Sequence, residues 1–389
     1  MMDPATIFSL ILIAWLAIYF IGQAIGSERL KERGIDVSFP FFFMYRTQRL
    51  NGFLTRVGKK FPRVFFNIGI VAGFIGMALA FWMFASNFIT FLVQPVAAGG
   101  VVPIIPGITI TGPSVVYLII GLTIALIVHE FAHGFAASKD GIPIKSSGLL
   151  AFLVLGGAFV EPDEEVFENE TPLKSRMRLH AAGSFSNIIW AFFFVFLMAN
   201  FATMMSVAYN PPHGAYIFQL EPGSPASEAL QVGDVIIGLN DTAIMNWTAV
   251  GQFMAGAPAG SQLTIHTIRE NVTIILAPSE LNASLGYMGV YGADYWEPKP
   301  GWDLFLGPMF AFHLERIIFW SYLINISLAL FNLLPIPVLD GDKILADGIR
   351  LLTEDEKKVK YVMWPLRIAS ILIVVLSIVL SFVYGKGLF

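Results

Sequence analysis

The sequence predicts a polytopic α-helical membrane protein with about six transmembrane helices and one inserted extracytoplasmic α+β domain. Three observations carry that prediction. Of 389 residues, 56% are hydrophobic and only 13% are charged, and the mean hydropathy is +0.70, values that a soluble domain of this length does not tolerate on its surface. Apolar runs recur that are long enough to cross a hydrocarbon core of roughly 30 Å. Between the fourth and fifth runs, charges and turn residues return over 208–301, and no run there is long enough to span.

In chain order, the first run, Pro4–Ile25, follows no Lys or Arg and precedes no small-residue cleavage site, so it reads as a retained span. Val64–Val93, Val115–Ala137, Ala181–Val207, Ile317–Leu334 and Ile368–Tyr384 are the other five. Orientation follows from the basic residues. Gly26–Arg63, Ser138–His180 and Gly341–Arg367 hold 20 of the 24 Lys and Arg, and all three lie on one side, the cytoplasmic one. The N-terminus and 208–301 are then outside. The chain divides into 1–63 (first span and basic segment), 64–207 (first part of a membrane core), 208–301 (external domain), 302–342 (second part of the core) and 343–389 (cytoplasmic loop and last span).

Composition also excludes functions. A net charge of -4 without a basic stripe argues against nucleic acid. With no Cys, a transition metal must take His and carboxylate ligands.

From Val64 to His129 there is no Asp, Glu, Lys or Arg, so Glu130 is the first charge after a long apolar stretch. An ionisable residue at membrane depth is a functional-site hypothesis by default. It belongs to His129-Glu130-Phe131-Ala132-His133. Residues four apart share a helix face, so both imidazoles can converge on one metal ion, with Glu130 beside them to take a proton from the attacking water. Glu130 lies 15 residues past Val115, nearer the cytoplasmic face but within the hydrocarbon region.

The fifth run ends in Asn332-Leu-Leu-Pro335-Ile-Pro337-Val-Leu339-Asp340-Gly341-Asp342, where the prolines stop the helix. Asp340 then approaches the histidines from the side, giving a His, His, Asp set with a fourth position open, as a catalytic zinc requires. Asn332, and Asn187 within Gly183-Ser-Phe-Ser-Asn187, have two readings: donors to a substrate carbonyl or oxyanion, or interhelical hydrogen bonds. His180, His213, His266 and His313 share no such spacing and read as ordinary surface or interfacial residues.

These segments resemble the signatures of the site-two protease family of intramembrane zinc metalloproteases. The likeness covers about Val115 to Gly341 and includes Gly157-Ala-Phe-Val160-Glu-Pro-Asp-Glu-Glu165, similar to the apolar loop after the catalytic helix in prokaryotic members. It implies one Zn2+ per chain on His129, His133 and Asp340, Glu130 as general base, and a transmembrane protein as substrate. Two positions depart from the pattern. Ala132 replaces a common glycine, and Asp342 stands where a second glycine often follows, so the turn carries two carboxylates, of which Asp340 holds the motif position.

In the external stretch, Tyr216–Leu220, Gly233–Asn240, Thr264–Ile268 and Val272–Leu276 read as strands with intervening turns. Glu221-Pro-Gly-Ser-Pro-Ala226 with Gly233-Asp-Val-Ile is similar to the PDZ domain in its bacterial, circularly permuted form. That resemblance makes Gly286, Tyr287, Met288 and Gly289 the carboxylate-binding loop, which would take a peptide end or substrate ectodomain as an added strand.

Ser147–Val160 is apolar but too short to span, and reads either as a buried hairpin whose edge holds substrate or as a packing loop. The aromatic Phe39–Tyr45, followed by Arg46 and Arg49, suits an interfacial element. Two rival functions differ in what they require. An ion or metal transporter would show internal repeats, and no second copy of either motif occurs; a non-catalytic PDZ-bearing scaffold needs none of Glu130, Asp340 or the histidine spacing.

Overall fold

A computed structural model describes residues 4–37, 40–104, 109–110, 112–153, 155–280 and 282–384. The chain forms two compact units, Met1–Val195 with Ile317–Phe389, and Phe196–Arg316.

The first unit opens with α1 (Pro4–Ile25) and α2 (Ser27–Glu32). It continues through strands β1 (Ile35–Asp36) and β2 (Phe42–Arg46), then α3 (Gln48–Gly58), α4 (Arg63–Val93) and α5 (Ser114–Asp140). Gly141, at φ 80°, ends α5, a left-handed cap for which glycine bears no Cβ penalty. The hairpin β3 (Ile144–Phe152) and β4 (Leu155–Pro162) follows, then α6 (Glu164–Asn169) and α7 (Leu173–Ala199).

In the inserted unit come α8 (Phe201–Met205), β5 (Ala215–Leu220), β6 (Val235–Leu239), β7 (Thr242–Ala243) and α9 (Trp247–Met254). They are followed by β8 (Gln262–Thr267), β9 (Asn271–Ile275), β10 (Ala277–Pro278), β11 (Gly286–Tyr287) and β12 (Val290–Asp294). The chain closes with α10 (Met309–Asn332), α11 (Asp340–Arg350) and α12 (Glu356–Val383).

Among the described residues, α4, α5, α7, α10 and α12 are long and apolar enough to cross a membrane, and α1 is apolar over Leu12–Ile25. On α4, Val64, Ile68, Val71, Ile75, Leu79 and Trp82 form an exposed stripe at helical spacing, the lipid-facing side. Its opposite face carries buried Gly69, Gly73, Gly76 and Ala80. Small residues let helices approach closely where hydrophobic burial gives no net drive. A Cβ at Gly121 of α5 would lie 3.0 Å from the backbone of Trp320 in α10, so these two helices touch almost backbone to backbone. The protein is a polytopic membrane protein.

Three helices extend well beyond the apolar runs. The runs are Ala181–Val207, Ile317–Leu334 and Ile368–Tyr384, but α7 starts at Leu173 and stops at Ala199, α10 starts at Met309 and α12 starts at Glu356. Hydrophobicity marks the lipid-crossing portion, whereas a helix runs on into the polar interface wherever its backbone bonds remain satisfied.

The strands of this unit form one sheet in the order β1-β2-β3-β4. The stretch Ser147–Val160 is therefore a hairpin, with Val154 outside the described residues. The aromatic segment is not merely interfacial. Phe42–Arg46 pairs with Phe152–Gly148 as a third strand, and Phe39 lies outside the described residues. A side chain at Gly148 would collide with the Tyr45 carbonyl, which makes glycine necessary there.

The inserted unit is an antiparallel sheet in the order β12-β5-β6-β8-β9, with β7 beside β6. Alternation along β8 buries Leu263, Ile265 and Thr267. Leu263 and Ile265 join Ile217, Ile236, Leu239, Ile274 and Met288 in a core to which α9 adds Val250.

Candidate metal centre

The centre is assembled from three helices of the first unit. The four-residue spacing on α5 puts His129 and His133 on one face, with ring centroids 4.7 Å apart. Helix α7 meets them at Gly183, where a Cβ would lie 2.5 Å from Nε2 of either ring. Asp340 is the first residue of α11, after a turn in which Pro335 and Pro337 end α10 and Val338 adopts φ 83°. A β-branched residue in that region is strained, and such strain concentrates at functional sites. A Cβ at Gly341 would strike the Leu333 carbonyl, so the turn is seated directly on the end of α10.

Three ligand atoms converge. His129 Nε2 and His133 Nε2 are 3.1 Å apart and lie 3.2 Å and 3.4 Å from Asp340 Oδ2. All three residues are buried. Atoms each 2.0–2.1 Å from a tetrahedral zinc stand about 3.3 Å apart, so the set fits that ion. The tautomers agree as well. His133 Nδ1–H donates to the Leu179 carbonyl at 2.7 Å, leaving its Nε2 lone pair inward. The Asn187 amide lies 3.2 Å from His129 Nδ1, and its carbonyl oxygen has no hydrogen bond. With that amide turned so that Oδ1 accepts from Nδ1–H, His129 also presents a bare Nε2. Asp340 Oδ2 is buried without a hydrogen bond. Facing two lone pairs, it calls for a cation.

A cavity of about 470 Å³ adjoins the centre and is lined by His129, Glu130, His133, Val160, Glu161, His180, Asn332, Asp340 and Lys343, among others. Glu130 Oε2 accepts a hydrogen bond from the Val160 amide of β4 at 3.3 Å. That bond ties the edge of the sheet to the carboxylate. Asn332 Nδ2 is 3.5 Å from His129 Nε2 and opens on the cavity.

Of the residues singled out in the sequence, His129, Glu130, His133, Asn187, Asn332 and Asp340 come together here. Asn187 is fully buried with its amide 3.2 Å from His129 Nδ1, the interhelical contact that is one of its two readings. One reading changes. His180 is not a surface residue: it is buried and lines the cavity. Its signal was present, because residues 180, 183 and 187 share one face of α7. Asp342 is not open in the way Asp340 is. Both its oxygens are taken by Arg367 of α12, from Nε at 2.6 Å and Nη2 at 2.8 Å.

Gly286, Tyr287, Met288 and Gly289 are in the inserted unit, where they lead into edge strand β12. Gly289 has φ 78°, and a Cβ there would collide with Ser224. The Tyr287 hydroxyl donates to Glu221.

The model of peptidase family M50 matches residues 117–376. The chain belongs to this peptidase family. It is 30% identical over 356 residues to an uncharacterized protein of Methanocaldococcus jannaschii, covering 87% of this chain and 84% of that one. It is 24% identical over 192 residues to a membrane-bound transcription factor site-2 protease homolog of Arabidopsis thaliana, covering 48% of this chain and 37% of the relative. To zinc metalloprotease RasP of Oceanobacillus iheyensis it is 22% identical over 237 residues, covering 49% and 54%. Among solved structures, a PDZ domain of an SdrC-like protein from Listeria monocytogenes is similar over 21% of this chain and 87% of that chain, at 18% identity and a TM-score of 0.19. The M50 chain is a membrane zinc metalloprotease.

Proposed function

We propose that this M50 peptidase hydrolyses peptide bonds within or near transmembrane helices of membrane-anchored substrates, with His129, His133 and Asp340 holding one zinc ion and Glu130 as general base. The convergence of three buried ligand atoms at 3.1–3.4 Å carries this reading. Zinc in that set supplies a Lewis acid that polarises the scissile carbonyl and acidifies water. Glu130 takes the proton from the attacking water and returns it to the leaving amine. Its hydrogen bond from Val160 keeps the carboxylate beside the histidines. Asn332 donates to the oxygen of the scissile carbonyl as charge develops there.

A substrate helix must unwind before its peptide bond is accessible. Strand β4 is an edge of its sheet and borders the cavity through Val160 and Glu161, which supports pairing of the extended substrate segment along it. The reading includes six spans, with the N-terminus and the inserted unit outside and the centre nearer the cytoplasmic face, supported by the one-sided distribution of Lys and Arg. The boundaries 1–63, 64–207, 208–301, 302–342 and 343–389 belong to it. The inserted unit acts as a PDZ-like filter that takes a peptide end or ectodomain at Gly286–Gly289 and edge strand β12.

Replacing Glu130 by Gln tests the base. Zinc content is expected to remain near one per chain while cleavage of a single-span model substrate falls by about 100- to 10,000-fold. Cleavage within a few-fold of the unmodified protein would overturn the assignment.

A further inference from the structure

His180 is a buried polar group of the cavity that the mechanism above leaves unused. It is 6% exposed and lines the cavity with His129, Glu130, His133 and Asp340. Its ring packs edge-on against Phe167, centroids 5.3 Å apart at 88°. Among the described residues its ring has no hydrogen bond or ion pair, and the residue lines the cavity. A polar ring taken out of water normally has a partner. Here the partner is whatever enters the cavity.

The position says what that is. Gly183, which touches both ligand imidazoles, is three residues further along α7, so His180 sits about 4.5 Å along the axis from the metal centre. The cavity wall formed by Leu179 and His180 belongs to α7, and the wall formed by Val160 and Glu161 belongs to β4. An extended chain paired to a sheet edge satisfies only every other residue's backbone groups with that edge; those between point the other way and need partners.

We propose that His180 is a substrate-binding residue whose imidazole hydrogen-bonds an away-facing backbone group of the extended segment lying along β4. The proposal rests on the protease reading above. It assigns α7 two jobs, orienting the ligand rings through Leu179 and Asn187 and holding substrate through His180, which lies between those two positions.

The experiment compares full-length zinc-loaded protein, unmodified, with His180→Phe and His180→Gln, for binding of two probes. Acetohydroxamate reports the metal alone, and a tetrapeptide hydroxamate reports the metal plus the backbone-binding groove. His180→Phe, which keeps the ring shape, is expected to weaken the tetrapeptide probe about tenfold and leave acetohydroxamate unchanged. His180→Gln, which keeps a donor, is expected to retain most of the tetrapeptide affinity. Unchanged tetrapeptide binding in His180→Phe would overturn the proposal. So would loss of zinc and of acetohydroxamate in both variants, which would make His180 a support of the metal centre. If the unmodified loaded protein binds neither probe, the protease reading itself fails and the proposal with it.

Discussion

The helical unit and the inserted unit each bury an aspartate, and they satisfy it by different means. Asp234 receives hydrogen bonds from Arg269 at 2.8 Å and 2.9 Å and from the Gln231 amide at 2.8 Å. The chain itself answers both oxygens. Asp340 is as buried, yet its Oδ2 has no hydrogen bond and faces Nε2 of two imidazoles, each of which has its Nδ1 against a polar partner, the Leu179 carbonyl and the Asn187 amide. The first carboxylate is a fastener and the second is a site. Asp342 sharpens the lesson, since two residues from Asp340 a carboxylate closed by Arg367 has become a fastener again.

The largest effect on this contrast is expected from reopening Asp342. Arg367→Gln leaves a second buried carboxylate beside the ligand turn, free to pull Asp340 from position or to compete for the metal. Zinc affinity is expected to weaken by about 10- to 100-fold, measured by competition with a chelator. Asp342→Gly, which removes that carboxylate, should restore affinity in the Arg367→Gln background. Equal zinc affinity in Arg367→Gln and the unmodified chain would show that the pair does not hold the turn.

A smaller, pH-dependent effect is expected at Asp234. Hydrogen bonds from Arg269, with a lesser one from the Gln231 amide, hold its carboxyl below the usual carboxylate range against the opposing effect of burial. A depressed folded-state pKa stabilises the unit fully above the unfolded value of about 3.9 and loses that stabilisation as pH falls through the folded value. The protection of β6 amides in the full chain, relative to their intrinsic exchange, should therefore fall on acidification below about pH 4, and Asp234→Asn should flatten that response. An acid response unaltered by the substitution would place the sensitivity elsewhere.

Much of this was legible in sequence because the signals are local. Apolar run length marks the spans, a four-residue spacing puts His129 and His133 on one face, and two prolines end α10 ahead of Asp340. In the inserted unit, alternation and turn residues outline β5, β6, β8 and β9. What was not legible depends on partners far apart in the chain. Phe42–Arg46 becomes a strand only because β3, about a hundred residues later, offers an edge. Asn187 is committed by His129, 58 residues away, and Asp342 by Arg367, 25 residues away. His180 was missed for a different reason. Its periodicity with Gly183 and Asn187 was readable, but a lone histidine without ligand spacing looks ordinary until its burial is known.

The most direct test of the central claim is the zinc content per chain of the purified protein beside Asp340→Ala and Asp342→Ala, after saturation with zinc and removal of loosely held ion. The account predicts about one zinc in the unmodified chain and in Asp342→Ala, and a large loss in Asp340→Ala. Full zinc in Asp340→Ala with loss in Asp342→Ala would contradict it, because the carboxylate that the fold leaves open would then not be the one that binds the metal.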